Sequence, residues 1–386
     1  MNNKVKPLKV TFLAVLLCSM SYFSNGQTNS NAEKQVRLVF NQLISVYGSA
    51  KSEPQLELIK KGKTPIPPAQ YTTNPQPTIK VDVELYKICQ TFGKDSLDAL
   101  AIVLSHELTH YYNDHTFCSD YAFANLKTNI NIKNKIREAS KSARIEKETE
   151  ADIKGFFYAA AAGYKPFGLQ KNLIEKIYKT YQLPDYQNGY PSKQERIDIA
   201  LNAEKKANEL YQYFNEGLVA LSNMQYDEAI TLFTKANNQI PFRENLNNIG
   251  IAKTRKALRL KVVSKEENDY PERFLYPLEV ENKSRLQNER TRTLDDTTEE
   301  YVTLLLEAQK EFEKALLLDP TFYKSQINLA CVFDLLGKHT SAIAEITEKL
   351  PKAIQETTIA KRILAIAYYH ADMEKKAEEI WKEIEK

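Results

Sequence analysis

Residues 96–112 have the sequence SLDALAIVLSHELTHYY, which contains the pattern HELTH at positions 106–110. Asp95 is a favourable N-cap and Asp98 lies in the first turn, so the stretch predicts one helix that begins near residue 96. Apolar residues recur at helical spacing and define one face that we expect to be buried. They are Leu97, Leu100, Ala101, Leu104, Leu108 and Tyr111.

The HELTH pattern places two histidines on one face of this helix. His106 and His110 are four residues apart, so both imidazoles leave the same face one turn from each other. A single zinc ion requires this spacing of two nitrogen ligands, and Glu107 beside them is placed to take a proton from a metal-bound water. The alternative is a solvated helix face that carries two histidines by chance.

A catalytic zinc site needs a third protein ligand, and the sequence ETEAD at 148–152 supplies the candidate. We predict a second helix here, ended by Gly163 as C-cap and by Pro166 just beyond it. Glu148 and Asp152 share one face, so one carboxylate can bind metal while the other orients a ligand imidazole. Such an acidic pair alone is typical of a solvated helix start, but the combination with HELTH favours a metal site.

These two motifs together resemble those of a known family of peptidases. HExxH followed by ExxxD inside the string E-x-E-A-D-x-x-G…A-G-Y-x-P is similar to the gluzincin metallopeptidases of the HtpX and BepA type, metallopeptidase family 48 of the peptidase classification. The resemblance covers roughly residues 35–205 and implies a zincin-like α+β catalytic domain with a small sheet. It implies one Zn²⁺ per chain held by His106, His110 and Glu148, with Glu107 as the base and Asp152 behind the ligands.

The chain departs from the family pattern at one element. The family often has His-Pro-x-x-x-x-Arg-Ile after the active site, whereas residues 190–197 read YPSKQERI. Tyr190 therefore replaces the histidine, and its hydroxyl can donate a hydrogen bond to a developing oxyanion while Arg196 supplies positive charge nearby. The alternative is that Tyr190 and Arg196 only fix a loop.

The first 26 residues have the form of an export signal. A basic segment with Lys4, Lys6 and Lys9 precedes the apolar run 10–23, and small residues suit cleavage before Gln27. We expect an exported protein, periplasmic or secreted, with outer-membrane or peripheral membrane association left open and no transmembrane span after signal removal. An uncleaved anchor and lipidation of Cys18 are the weaker alternatives.

Composition is that of an ordinary globular protein. The length of 386 residues suggests two domains, and 42% of the residues are hydrophobic. The low number of glycines, 11, agrees with mainly α structure. The net charge of +3 gives no argument for a nucleic-acid partner. Cys89 and Cys118 flank the HELTH helix, and an oxidising compartment would permit a bridge between them.

Segments around the two motifs have simpler interpretations. Residues 32–47 form an amphipathic helix, and the proline-rich residues 53–78 are expected to be extended and irregular. The alternating residues 78–83, TIKVDV, predict a strand that is either an exposed edge able to bind a peptide or a buried strand without a ligand. Residues 117–143 are polar and basic, as in a solvated helix, a loop or a mobile cover, and His115 is expected at the surface.

Beyond residue 205 the pattern changes to that of tetratricopeptide repeats, in which small residues allow paired helices to approach. The second helix pair is split by residues 261–300, which we interpret as an inserted lobe or flexible loop. Marker positions for the four units are Phe214, Gly217, Ala220, Tyr226, Ala229, Phe233, Ala236 and Pro241; Ala308, Phe312, Ala315 and Pro320; Leu329, Ala330, Phe333, Gly337, Ala342 and Ile346; and Ala365, Tyr368, Ala377 and Trp381.

The sequence therefore predicts a mainly α protein with three parts, which are a signal at 1–26, a zinc metallopeptidase domain at 27–205 and a tetratricopeptide α-solenoid at 206–386. Protein or peptide substrates would be cut internally after recruitment through the solenoid groove, and the resemblance implies misfolded envelope proteins among them. The competing interpretations are a non-catalytic repeat scaffold with a structural or latent zinc site, and an exopeptidase.

Overall fold

The computed structural model describes residues 31–48, 50–60, 67–73, 75–115, 130–185, 191–261, 265–281 and 298–385. The chain is mainly helical with a small mixed three-stranded sheet near its N-terminus, which confirms the coarse fold class expected from the sequence. Predictions that fall outside the described residues are the export signal, the role of Tyr190, the bridge to Cys118 and the first part of the polar segment 117–143. Cys89 is buried.

The chain divides into two compact units. One comprises residues up to Tyr47 with Glu53–Ala207, and the other comprises Gly48–Ser52 with Asn208–Lys386. The division falls within a single helix, Lys193–Ser222. None of the helices in the described ranges is both long and apolar enough to cross a membrane.

The first unit combines the sheet with helices of very different length. In chain order its elements are α1 (31–47), β1 (Gln55–Ile59), β2 (Ala69–Thr72), β3 (Thr78–Asp82), α2 (Val83–Gln90), α3 (Ser96–Tyr112), α4 (Ile130–Ala161), α5 (Gln170–Tyr181) and the first half of α6 (Lys193–Ser222).

The sheet has the order β1-β3-β2, with β1 parallel and β2 antiparallel to β3. The predicted strand at 78–83 thus lies in the centre of the sheet, and four of the five residues of β3 are buried. The edge-strand interpretation of these residues is wrong. The segment predicted to be irregular instead contributes both outer strands, because its prolines lie between and beside the strands.

Helix α3 carries the HELTH pattern as predicted. Its expected apolar face is buried except for Leu97, which is partly exposed. Asp95 occupies the N-cap position, but its side chain makes no capping hydrogen bond. The acidic motif lies within α4, which ends at Ala161 just before Gly163 at φ +94°. A left-handed residue at this point ends the helix, as the sequence predicts.

Helices α3 and α4 touch at the motif itself. A Cβ atom on Gly155 would lie 3.0 Å from the backbone nitrogen of His106, so only glycine allows this approach without a shift. The Ser105 hydroxyl donates to the Gly155 carbonyl at 2.7 Å. From α1, Tyr47 donates to the Ser105 carbonyl at 2.7 Å and lies 2.6 Å from the Thr109 hydroxyl. The motif helix is therefore fixed on two sides.

The second unit consists of helices, most of which contact the next helix in sequence order. They are the second half of α6, α7 (Tyr226–Asn237), α8 (Arg243–Leu258), α9 (Lys265–Asp269), α10 (Thr298–Leu318), α11 (Tyr323–Leu335), α12 (His339–Thr347), α13 (Lys352–Gln355), α14 (Thr358–His370) and α15 (Glu374–Ile384).

Close contacts between a small and a large residue join these helices. A Cβ atom on Gly217 would lie 2.7 Å from the Phe233 ring, and one on Gly250 would lie 2.7 Å from the Phe312 ring. The second contact confirms that α8 and α10 are neighbours although residues 259–297 separate them in sequence. Ala330, Ala342, Ala365 and Ala377 are likewise fully buried.

The inserted segment between α8 and α10 is packed in its described part 265–281, which favours the inserted lobe over the flexible loop among the two interpretations of residues 261–300. Its residues 270–281 pack against the helices, and Tyr276 is only 9% exposed. Phe274, Leu278 and Val280 also pack against the core of this unit. Alternation of apolar and polar residues at 276–281 is the signal in the sequence that could have indicated this packing.

Adding a methyl group at Gly250 is expected to destabilise the second unit. The Phe312 ring has no room for it, and overpacking of this kind costs about 1–3 kcal/mol. Urea unfolding of Gly250→Ala should show this loss, and the double variant Gly250→Ala with Phe312→Leu should recover part of it. Equal losses in the single and double variants would contradict the proposed contact.

Candidate metal centre

Three predicted ligand side chains meet at one point in the first unit. His106 Nε2 and His110 Nε2 are 3.0 Å apart. The Glu148 carboxylate lies 3.5 Å from His106 Nε2 and 3.6 Å from His110 Nε2. The i,i+4 spacing on α3 aligns the two imidazoles, and the Gly155 contact brings α4 close enough for Glu148 to face them.

This donor set fits a small divalent cation. Tetrahedral zinc with bonds of about 2.0–2.2 Å separates its ligand atoms by about 3.3–3.6 Å, close to the distances between these three side chains. Two imidazole nitrogens and one carboxylate are also ligands that zinc prefers. Both imidazoles are 14% exposed, so a fourth position towards solvent is compatible with a bound water.

The pKa shifts of the three candidate ligands also favour a bound cation. Burial alone would lower the pKa of His106, but its contacts with Asp152 and Glu148 raise this pKa to about 10. Burial would raise the pKa of Glu148, yet His106 and Arg196 hold it well below its usual range. Burial lowers the pKa of His110 to about 3. A positive charge between His106 and Glu148 is thus favoured, whether a proton or a metal ion supplies it.

Asp152 and Arg196 form a pair behind the ligands. His106 Nδ1 lies 2.8 Å from Asp152 Oδ1, and the Asp152 side chain is only 1% exposed. Arg196 donates from Nη2 to Asp152 Oδ1 at 2.9 Å and from Nη1 to Oδ2. The Arg196 Nε atom is also 3.8 Å from Glu148. Arg196 therefore belongs to the centre, where its hydrogen bonds go to Asp152.

Glu107 lies next to the centre without being one of its three donors. Its side chain faces β2, where the Tyr71 backbone N–H hydrogen bonds to it. Burial raises the pKa of Glu107, and the charge on Glu148 adds to this effect, while His106 and Arg196 oppose it. A carboxylate beside a metal site, with a pKa above its usual range, is suited to act as a general base that accepts a proton and returns it.

His115 is not at the surface, and that prediction is wrong. Its side chain is 7% exposed and contacts Glu150 through Nε2 at 3.2 Å. Its Nδ1 lies 2.8 Å from His110 Nδ1. Helix α3 ends at Tyr112, and Asp114 has φ +54°, so the chain turns back and carries His115 to the outer nitrogen of His110.

One assignment of protons satisfies the three imidazole rings and the two carboxylates, Asp152 and Glu150, at once. If His106 and His110 bind metal through Nε2, their Nδ1 atoms carry protons. His106 then donates to Asp152, and His110 donates to His115 Nδ1. His115 in turn donates from Nε2 to Glu150. Each of the two candidate ligand imidazoles, His106 and His110, thus has a partner on its Nδ1 side that fixes its tautomer, as in known metal sites.

Replacing His115 by Ala is expected to weaken zinc binding by about 10–100-fold, because His110 loses the acceptor that fixes its ring. Competition with a chromogenic zinc chelator measures this affinity. Substitution of the exposed Lys94, which precedes the helix of the motif, by Ala provides a control. Unchanged zinc affinity in His115→Ala would show that His115 does not orient His110.

A cleft of about 360 Å³ opens beside the centre, and sequence reasoning did not identify most of its residues. Glu148 and Arg196 form its polar end, and Tyr178 lies in the same wall. The remaining lining is apolar: Pro68, Ile174, Ile177, Leu183, Pro184 and Pro191. Apolar positions on the face of α5 were the available signal, but nothing in the sequence indicated that they line a cleft.

A second group of three donors lies in the other unit. His339 Nδ1 and His370 Nδ1 are 2.7 and 2.8 Å from the two oxygens of Asp334. Burial would lower the pKa of His370, but Asp334 and Glu267 raise it to about 9. Both ring nitrogens of His370 thus face carboxylates, as in a charged imidazolium. This group is arranged as an ion-pair network, so the first group is the stronger metal candidate.

A scan of the chain against protein-family models finds no match, and a search of curated proteins finds no similar sequence.

Proposed function

We propose that the protein is a zinc-dependent endopeptidase. The observation that carries the proposal is the convergence of His106, His110 and Glu148 within 3.0–3.6 Å of one another, with Glu107 beside them. A purely structural zinc site closes with four protein ligands, whereas three ligands and an adjacent carboxylate are typical of hydrolytic sites.

The chemistry follows from the placement of these side chains. A zinc ion held there would acidify a bound water to a pKa of about 7 and polarise the scissile carbonyl. Glu107 takes the proton of the attacking water and passes it to the departing amine. Arg196 holds Asp152, and Asp152 holds the ring of His106. Tyr190, and Tyr178 in the wall of the cleft, are the candidate donors to the developing oxyanion.

A peptide substrate has a natural place in this unit. Strand β2 lies at an edge of the described sheet, and its Tyr71 contacts Glu107. A peptide that pairs with β2 would bring its backbone past the metal ligands, in the manner of an added strand. The apolar cleft next to Glu148 would accept an apolar side chain beside the bond to be cut.

The wider assignments rest on the sequence and on the coarse fold. The first unit is proposed to be a zincin-like catalytic domain and the second a tetratricopeptide solenoid that recruits protein substrates or a partner. Export to a periplasmic or external compartment, without a nucleic-acid partner, completes the proposal. The small-to-large contacts at Gly217 and Gly250 support the repeat assignment.

Metal analysis of the purified mature protein tests the proposal directly. We expect about one zinc per chain and hydrolysis of an internally quenched peptide that stops on chelation and returns on adding zinc. Glu148→Ala should lose both metal and activity. Zinc that remains bound while no peptide is cut under any condition would favour the non-catalytic scaffold.

Product mapping separates an endopeptidase from an exopeptidase. An endopeptidase cuts a peptide with both termini blocked at an internal bond, whereas an exopeptidase requires a free terminus. Cleavage limited to the unblocked peptide would therefore overturn the endopeptidase assignment without affecting the metal site.

A further inference from the structure

The inserted segment of the second unit crosses the helices like a bound peptide. We call residues 270–281 the strap. At one end Arg273 pairs with Glu378 at 2.9 Å, and the Phe274 ring lies 5.6 Å from the Trp381 ring. Further along, the Tyr276 hydroxyl donates to Asp334 at 2.7 Å. The strap therefore runs from α15 to α11, without helix or strand of its own after Phe274.

The far end of the strap is held through its backbone by asparagines. The Glu279 N–H donates to Asn328 Oδ1 at 2.7 Å, and its carbonyl accepts from Asn328 at 3.1 Å and from Asn247 at 3.0 Å. The Glu281 N–H donates to Asn248 Oδ1 at 3.2 Å. The backbones of Glu279 and Glu281, two residues apart, thus hydrogen bond to side chains of α8 and α11, as a peptide in a groove would.

These asparagines are buried beneath the strap. Asn247, Asn248 and Asn328 are all 0% exposed, and leaving a buried amide unsatisfied costs about 1–3 kcal/mol per group. Asn328 and Ser325 also hydrogen bond to Asn247 Oδ1, at 2.9 and 2.8 Å, which fixes the orientation of the Asn247 amide. The asparagine amides are therefore held in an orientation that suits the polar groups of a chain.

Side chains add selectivity to this backbone recognition. Tyr276, Leu278 and Val280 alternate with Glu279 and Glu281 along the strap. The apolar members pack against the core of the unit, and Glu281 pairs with Lys324 at 3.0 Å. The face thus favours a chain in which apolar and acidic residues alternate, with an aromatic hydroxyl that can reach Asp334.

We propose that the asparagine face of α8 and α11 is a peptide-binding site and that the strap is its internal ligand. The partner is a protein segment of alternating apolar and acidic residues, and it binds by displacing the strap. Backbone hydrogen bonds carry most of the recognition, so a foreign segment can replace the strap without a change in the face. The inference is independent of the metal chemistry in the first unit.

Competition has a quantitative consequence. An intramolecular ligand acts at a high effective concentration, so the strap is released in only a small fraction of the chains. The apparent affinity for a free peptide equals the intrinsic affinity of the face multiplied by this fraction. The intact protein should therefore bind a strap-like peptide weakly. Weakening the strap alone should reveal the affinity of the face.

The experiment uses the full chain and a fluorescein-labelled peptide of residues 273–281, RFLYPLEVE. The strap variant replaces Glu279 and Glu281 by Pro, which removes the two N–H donors but suits an irregular chain. Fluorescence anisotropy should show at least a tenfold gain in peptide affinity over the natural protein. Adding Asn328→Ala to the strap variant should abolish that gain, and a peptide with the same two prolines should bind to neither.

Circular dichroism and cooperative thermal unfolding verify that each variant is folded. If the double proline variant does not fold, Glu281→Ala provides the second test, because it removes only the pair with Lys324 at the end of the strap. No gain in peptide binding by a folded strap variant, or a gain that survives Asn328→Ala, would overturn the proposal.

Discussion

Replacing Glu107 by Gln is expected to lower kcat/KM for peptide cleavage by about 10²–10⁴-fold, the usual contribution of a general base. The amide keeps the shape of the side chain and its contact with the Tyr71 backbone, but it cannot accept the proton of the attacking water. Zinc content should stay at the natural level because Glu107 is not among the three converging donors. A quenched-peptide assay together with metal analysis measures both quantities.

The control is Glu146→Gln, which neutralises an exposed carboxylate of α4 within two residues of Glu148. It should leave the activity within about twofold, since surface substitutions rarely exceed ±0.5 kcal/mol. If Glu107→Gln retained full proteolysis, the assignment of Glu107 as the base would be wrong. Loss of activity together with loss of zinc would indicate a structural effect instead.

The second large effect is expected from Asp152→Ala. Its carboxylate is 1% exposed and pairs with Arg196, so the substitution leaves a guanidinium in the interior without its main partner. Removal of one member of a buried pair costs about 3–5 kcal/mol. His106 also loses the acceptor for Nδ1, so zinc affinity should fall by about 10–100-fold. Urea unfolding with and without a chelator separates the two contributions.

The double variant Asp152→Ala with Arg196→Met tests the cause of the instability. Because no unpaired charge remains, it should be more stable than Asp152→Ala alone, yet its zinc affinity should stay low. Asp198→Ala, on the exposed side of α6, is the matched control and should change neither quantity. A double variant as unstable as the single one would show that Arg196 is not the source of the loss.

The two residue pairs of the candidate centre could be predicted from local spacing, but their meeting could not. His106 with His110, and Glu148 with Asp152, each follow from four-residue spacing on a helix, which sequence shows directly. The meeting of the two pairs depends on Gly155, whose role is packing between helices and leaves no periodic signal. His115 was missed because a turn with Asp114 at positive φ, rather than a helix, returns it to the site.

The two outer strands of the sheet and the packing of the strap were not predicted, for a related reason. Strands β1 and β2 are four or five residues long and lie among prolines, so local propensity argued against them, while pairing with β3 decides their conformation. The segment that contains the strap was interpreted as an inserted lobe or a flexible loop from its charges and prolines. Its conformation is set by asparagines that are distant in sequence, and such long-range partners cannot be derived from a local window.

Tyr47 has a practical consequence for how the protein can be shortened. It ends the helix that precedes the sheet, yet its ring stacks on Tyr112 at 4.7 Å and its hydroxyl reaches the carbonyl just before the first histidine. A recombinant fragment that starts at the first strand would lack this support. Its residual peptide-cutting capacity should then be poorer than that of a fragment starting at residue 31. Proteolytic removal of α1 in the cell would have the same effect.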